Sequence, residues 1–174
     1  MMHLQAKIIG ERIFLSEMRE SDISEQFMLW LHDSEVNEFL EVRHNLPNLE
    51  TQRAYVRECR TSASKMYLGI FTLSKKLIGS VTLNIYETNK VEIGLMIGDK
   101  SHHGLGIGTE VVRIVANWAA MNEFIEITAG YLAGNKRSAN LFKSLGFQIV
   151  QVISESDIIN HQTSVVRTSL LLRA

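Results

Sequence analysis

Three glycines at alternate positions, Gly104, Gly106 and Gly108, separate two stretches of opposite character. Before them stand short runs of strand-forming sequence. After them Ile107, Val111, Val115 and Trp118 recur at near-four-residue spacing, the stripe of an amphipathic helix. The chain must therefore turn from sheet to helix within a segment that tolerates positive φ and lets a ligand approach the backbone closely. Free N–H groups at a helix start point outward, and the helix dipole favours negative charge there. The segment His103-Gly104-Leu105-Gly106-Ile107-Gly108-Thr109 thus has the makings of a pyrophosphate cradle; a tight turn with no ligand is the alternative. Two other nucleotide-binding readings fail on spacing. A P-loop needs Gly-Lys before Ser or Thr, and Gly108 is followed directly by Thr109. A Rossmann fingerprint follows the first strand of a parallel βαβ unit, whereas an antiparallel meander precedes these glycines and the third glycine of the spacing is missing.

The rest of the chain supplies one α+β domain over residues 1–174. The 174 residues suit one core, with no linker, repeat or low-complexity tract and a single proline, Pro47. Arg12–Glu17 reads as a first strand and Ser21–His32 as a helix capped by Ser21. Asn48–Ser62 reads as a second helix. Met66–Leu73, Leu77–Tyr86 and Lys90–Ile97 form the meander, with turns at Ser74-Lys75-Lys76 and Thr88-Asn89. After the glycine turn and its helix, Phe124–Tyr131 is a strand with Ile125, Ile127, Ala129 and Tyr131 on one face. Asn135–Ser144 is a short helix ended by Gly146. Phe147–Ile153 and Thr163–Leu172 close a mixed, mostly antiparallel sheet of six or seven strands flanked by helices.

Hydrophobic residues make up 45% and charged residues 21% of the chain, with a formal net charge of −1. That balance lacks the basic excess of a nucleic-acid-binding protein. The lone cysteine, Cys59, forms no internal disulfide and is expected to be buried and inert. No signal-peptide pattern and no apolar run of about 18 residues is present, so a cytoplasmic protein without membrane contact is expected. His102 and His103 are adjacent, but no third ligand stands at a metal-site spacing, and no metal is expected.

Three segments, in order, resemble the GNAT superfamily of acyl-coenzyme A-dependent N-acetyltransferases, and most closely its ribosomal-protein N-terminal acetyltransferase branch. Val91-Glu92-Ile93-Gly94-Leu95-Met96-Ile97 is similar to the family's fourth strand. His103 to Gly108 is similar to its Gln/Arg-x-x-Gly-x-Gly/Ala cradle, with His103 where Gln or Arg is usual. Asn135 to Phe147 resembles its Asn-x-x-Ser/Ala…Phe/Tyr-x-x-x-Gly-Phe signature. The resemblance implies a fold whose fourth and fifth strands splay, with acetyl-coenzyme A in the V between them. It also implies cofactor contacts at Leu95, Met96, Ile97, His103, Gly104, Leu105, Gly106, Ile107, Gly108, Thr109, Asn135 and Phe142. An N–H near Leu95–Ile97 would polarise the thioester carbonyl.

For catalysis, the resemblance favours Glu92 as a general base acting through water; a carboxylate on the exposed face of the strand is the alternative. Asn135 is a helix N-cap and, by resemblance, a pantetheine or water contact. Ser138 either faces the thiol or permits close packing. The usual thiolate-protonating tyrosine is replaced by Phe142, which leaves Tyr131 as the rival. Asp33, Glu35, Glu41 and Arg43 lie in the region that covers the acceptor in the family. The expected activity is acetyl transfer to a primary amine by direct attack, and a non-catalytic acyl-coenzyme A-binding module is the alternative. Protein N-termini, nucleotide-linked amino sugars, polyamines and small amine antibiotics are all compatible acceptors, the first two favoured by branch. A homodimer is a further option.

Overall fold

The computed structural model describes residues 7–87, 89–156 and 162–172, so Thr88 of the expected Thr88-Asn89 turn lies outside the described residues. The strands are β1 (Ile8–Ile9), β2 (Ile13–Glu17), β3 (Lys65–Thr72), β4 (Leu77–Tyr86), β5 (Lys90–Ile97), β6 (Glu126–Leu132), β7 (Gln148–Ser156) and β8 (Gln162–Leu171). The helices are α1 (Glu25–His32), α2 (Ser34–Asn37), α3 (Leu49–Thr61), α4 (Ile107–Met121) and α5 (Lys136–Ser144). Among the described residues, eight strands join one sheet in the order β1-β2-β3-β4-β5-β6-β8-β7. The eighth strand, beyond the seven expected, is the two-residue β1 at the edge. Every pair is antiparallel except β5 with β6.

The starts of α1 and β6 differ from expectation, and β7 runs three residues further, to Ser156. Ser24, not Ser21, caps α1, its side chain accepting a hydrogen bond from the Phe27 N–H at 3.2 Å. Glu20–Asp22 instead form a 3₁₀ turn closed by Asp22, whose carboxylate accepts from the Arg19 N–H at 2.7 Å. Ile125 precedes β6 and is 49% exposed, whereas Ile127 and Ala129 are fully buried. The chain is still leaving α4 at that point, through Glu123 at φ 66°, so strand alternation has not begun.

The sheet separates two apolar layers. On one face α4 buries Val111, Val112 and Val115 against Val91, Ile93 and Ile127. On the other, α1 and α3 bury Phe27, Trp30 and Val56 against Tyr67 and Met96. Alternation along β5 explains the division: Val91 and Ile93 point to the α4 layer, and Met96 to the opposite layer.

Candidate active site

β5 and β6 pair in parallel only from Lys90↔Glu126 to Ile93↔Ala129. Both strands continue, to Ile97 and Leu132, without pairing to each other. They therefore splay into a V, and the edge of β5 facing β6 lacks a strand partner from Gly94 to Ile97. These are the fourth and fifth strands of the sequence reading, shifted by one number because of β1. Leu95 and Ile97 pack toward the α4 layer and Met96 toward the α1–α3 layer.

The glycine turn stands at the open end of the V. Gly104 and Gly106 take φ of 73° and 76°, the left-handed region that glycine occupies without a Cβ penalty. Gly106 is the N-cap of α4 and offers no side chain to cap it. The N–H groups of Ile107, Gly108 and Thr109 therefore have no intrahelical partner, as at any helix start. A Cβ on Gly104 would meet nothing within 4 Å, whereas one on Gly108 would meet Leu141 Cδ1 at 2.8 Å and Leu95 Cδ2 at 3.3 Å. Gly108 is thus where α4, α5 and β5 converge. Leu105 is 56% exposed, and the Ile107 side chain is buried in the core, so Ile107 can meet a ligand only through its backbone. An open floor with outward N–H groups fits a pyrophosphate.

Several side chains hold this turn. Arg12 Nη1 donates to the Leu105 carbonyl at 2.7 Å, which orients that carbonyl toward Arg12. Glu110, 3% exposed in the first turn of α4, accepts from the Arg12 backbone N–H and from Arg12 Nε, both at 2.8 Å. Burial alone would raise the Glu110 carboxyl, but the Arg12 bonds outweigh it and hold the group below its ordinary value. A Cβ on Gly10 would meet Glu110 Oε1 at 2.6 Å, so the chain before β2 is bare where this pair forms. The sequence reading missed Arg12, Gly10 and Glu110; a glutamate inside an apolar helix stripe was the available signal. His103 Nε2 lies 2.8 Å from the Ile97 carbonyl. Since a carbonyl only accepts, Nε2 carries the proton, and His103 ties the turn to the end of β5. Asp99 braces the same stretch through Lys76 Nζ at 2.7 Å and Ser101 Oγ at 2.6 Å. Burial pushes the Asp99 carboxyl up, but these bonds hold it well below the carboxylate range.

Asn135 caps α5, its Oδ1 accepting from the Ser138 N–H at 3.0 Å. Ser138 is half-buried. Phe142 is 5% exposed between Tyr131, stacked at 5.9 Å, and Phe147 at 5.0 Å. Its ring belongs to the α4-side core.

Glu92 lies on the α1–α3 side of β5 and is ion-paired with Arg167 of β8. Its Cα neighbours are Asn84 on β4 and Thr128 on β6. The same face carries a buried polar chain: Gln52 Nε2 of α3 donates to the Tyr67 hydroxyl at 3.2 Å, which donates to Ser80 at 3.3 Å. Burial raises the Tyr67 phenol to about 12. The last turn of α1 and the segment after it cross the mouth of the V. Trp30 lies on Gly98 beyond β5, and Phe39 comes within 3.7 Å of a Cβ position on Gly134 beyond β6. Asp33 and Glu35 bond Lys100 Nζ at 2.8 and 3.2 Å, and Arg43 donates to the Leu40 carbonyl at 2.8 Å. Lys100 holds the Asp33 carboxyl below its ordinary value. These side chains are therefore engaged in holding the segment in place, while Glu41 is exposed. Cys59 is 3% exposed and burial pushes its thiol up, the opposite of activation. Among the described residues no group of three or more His, Cys, Asp or Glu is placed to hold a metal, and no helix is long and apolar enough to cross a membrane.

Comparison with known proteins agrees with this geometry. The chain is 29% identical over 146 residues to the uncharacterized protein MJ1062 of Methanocaldococcus jannaschii, which covers 82% of this chain but only 30% of that one. It is 30% identical over 151 residues to the probable N-acetyltransferase YjcK of Bacillus subtilis, covering 79% of this chain and 81% of YjcK. Its fold matches RimL, a ribosomal L7/L12 α-N-protein acetyltransferase solved with coenzyme A, at a TM-score of 0.83 and 15% identity over 96% of this chain and 98% of that one. The model of the acetyltransferase (GNAT) domain matches residues 12–148. The chain belongs to the GNAT acetyltransferase family.

Proposed function

We propose that this chain transfers an acetyl group from acetyl-coenzyme A to a primary amine. The observation that carries the reading is the uncapped start of α4 at Gly106, opening beside the splay of β5 and β6. Backbone N–H groups of Ile107, Gly108 and Thr109, with the dipole of a 15-residue helix behind them, suit the doubly charged pyrophosphate. The pantetheine arm then lies along the unpaired edge of β5 at Leu95–Ile97, with Asn135, Ser138 and the Phe142 helix on the other side. An N–H of that edge polarises the thioester carbonyl.

The reaction is R–NH₃⁺ + CH₃CO–S–CoA → R–NH–COCH₃ + HS–CoA + H⁺. The ammonium first loses a proton, with Glu92 as the base through water. The amine nitrogen bonds to the carbonyl carbon as the C–S bond breaks. The thiolate takes up one of the two protons that nitrogen still carries, and the other stays on the amide.

A non-catalytic acyl-coenzyme A-binding module is the second reading, and the engagement of Glu92 by Arg167 favours it. Thiol release from acetyl-coenzyme A, measured over a panel of amines, separates the two. Amine-dependent thiol release supports the transferase. Tight coenzyme binding with no release above the amine-free rate for any amine overturns it.

A further inference from the structure

The pair Glu92–Arg167 is the side-chain feature of the V that the transferase reading leaves unexplained. Arg167 is on β8, two strands from β5. Its side chain crosses β6 at Gly130, where the nearest atoms to a Cβ position are its own, from 3.8 Å outward. It reaches Glu92 one position before the last β5–β6 pair, at the root of the splay. The partners are 44% and 29% exposed, so the pair is open to solvent on the α1–α3 side. The floor beside it is bare: a Cβ on Gly94 would find only Thr82, at 3.8 Å. The neighbouring charges are already matched. Two positions down, Lys90 pairs with Glu126 at 3.4 Å and with Glu87 at 2.8 Å. Lys65 pairs with Glu58 at 3.2 Å.

This arrangement constrains the acceptor. While Arg167 holds Glu92, the carboxylate is not free to take a proton from an amine. A simple amine or a polyamine would have to displace a guanidinium that stays charged at any working pH and leave it unpaired beside a second cation. An acceptor that carries its own carboxylate close to the amine meets neither cost. Its carboxylate pairs with Arg167 in the forked geometry guanidinium favours, and its ammonium pairs with the released Glu92. One neutral ion pair and one zwitterion become two matched pairs. Because Glu92 and Arg167 are in direct contact, the amine and carboxylate must stand within a few bonds of each other.

Building on the transferase reading, we infer that the acceptor is an amino acid or another small amine with an adjacent carboxylate, and that Arg167 is its specificity determinant. The test is thiol release with free α- and β-amino acids, the corresponding carboxamides, spermidine and a neutral-side-chain peptide. At least one free amino acid should exceed its own carboxamide by about tenfold or more in kcat/KM, mainly through KM. In Arg167→Gln that ratio should fall to near one, while Arg167→Lys retains part of it. Coenzyme affinity by calorimetry should be the same in both variants, separating specificity from folding. Equal use of acid and carboxamide, preference for spermidine or peptide, or an acid preference that survives Arg167→Gln would overturn the inference and leave the transferase intact. Absence of turnover with every amine, coenzyme still binding, would overturn both.

Discussion

Arg12 and Glu110, 98 positions apart, are joined by two hydrogen bonds of 2.8 Å, one from the arginine backbone and one from its side chain. The same arginine holds the Leu105 carbonyl, so one residue immediately before β2 sets both the first turn of α4 and the loop before it. Glu110 is ionised in both folded and unfolded chains well above its ordinary value of 4.5, and the stabilisation is then fully present. Its folded value is depressed. As pH falls below 4.5 the unfolded chain takes up the proton first, and the stabilisation is lost as pH descends through the folded value. Thermal unfolding followed from about pH 6 to pH 3 should therefore show an acid limb that flattens in Glu110→Gln. At neutral pH the same variant should lose about 1–3 kcal/mol, a range limited by the half-exposed arginine.

Gly106→Ala places a Cβ on backbone at φ 76° and should cost about 1–2 kcal/mol. Gly108→Val drives its branches toward Leu141 and Leu95, separating α4 from α5. Acetyl-coenzyme A affinity by titration calorimetry should fall severely in Gly108→Val, with far-ultraviolet circular dichroism unchanged. Unaltered affinity would remove the cradle assignment.

Glu92→Gln keeps the side-chain shape and removes its basicity. An amine of pKa about 8 to 10.4 is largely protonated at neutral pH, so a positioned base is worth about 10²–10⁴-fold. Turnover should fall within that range while coenzyme affinity is retained. A loss under about threefold would assign the proton to bulk water or another group.

Tyr131 stacks on Phe142 with ring planes 13° apart, which accounts for its ring by packing. Thiolate is a tolerable leaving group, its conjugate thiol having a pKa of about 8.5. Tyr131→Phe should therefore cost a few-fold or less in turnover. A loss beyond about 10²-fold with coenzyme affinity intact would make its hydroxyl the general acid.

Asn135→Ala removes the acceptor for the Ser138 N–H and should destabilise the protein by about 1 kcal/mol in denaturant unfolding. Asn135→Asp preserves the cap. If the asparagine also contacts the pantetheine arm, coenzyme affinity should fall in the alanine variant by more than the stability loss explains.

What the sequence determined by itself is local. The glycines permitted a left-handed turn, the α4 stripe fixed its buried face, and Asn135 and Gly146 bounded α5. Each follows from steric or periodic rules acting over a few residues. Ser21 was misread for the same reason: Ser24, three positions on, has the same capping side chain, and the helix that buries Phe27 and Trp30 starts there. What tertiary structure alone decided is partnership. β8 inserts between β6 and β7 instead of following β7 to the edge, and that order carries Arg167 across Gly130 to Glu92, 75 positions away. The pairing of β2 beside α4 likewise brought Arg12 to Glu110. A charged residue in an alternating strand reads the same whether it meets water, substrate or a distant guanidinium, because its pattern records only which face it occupies. Strand order determines what else stands on that face.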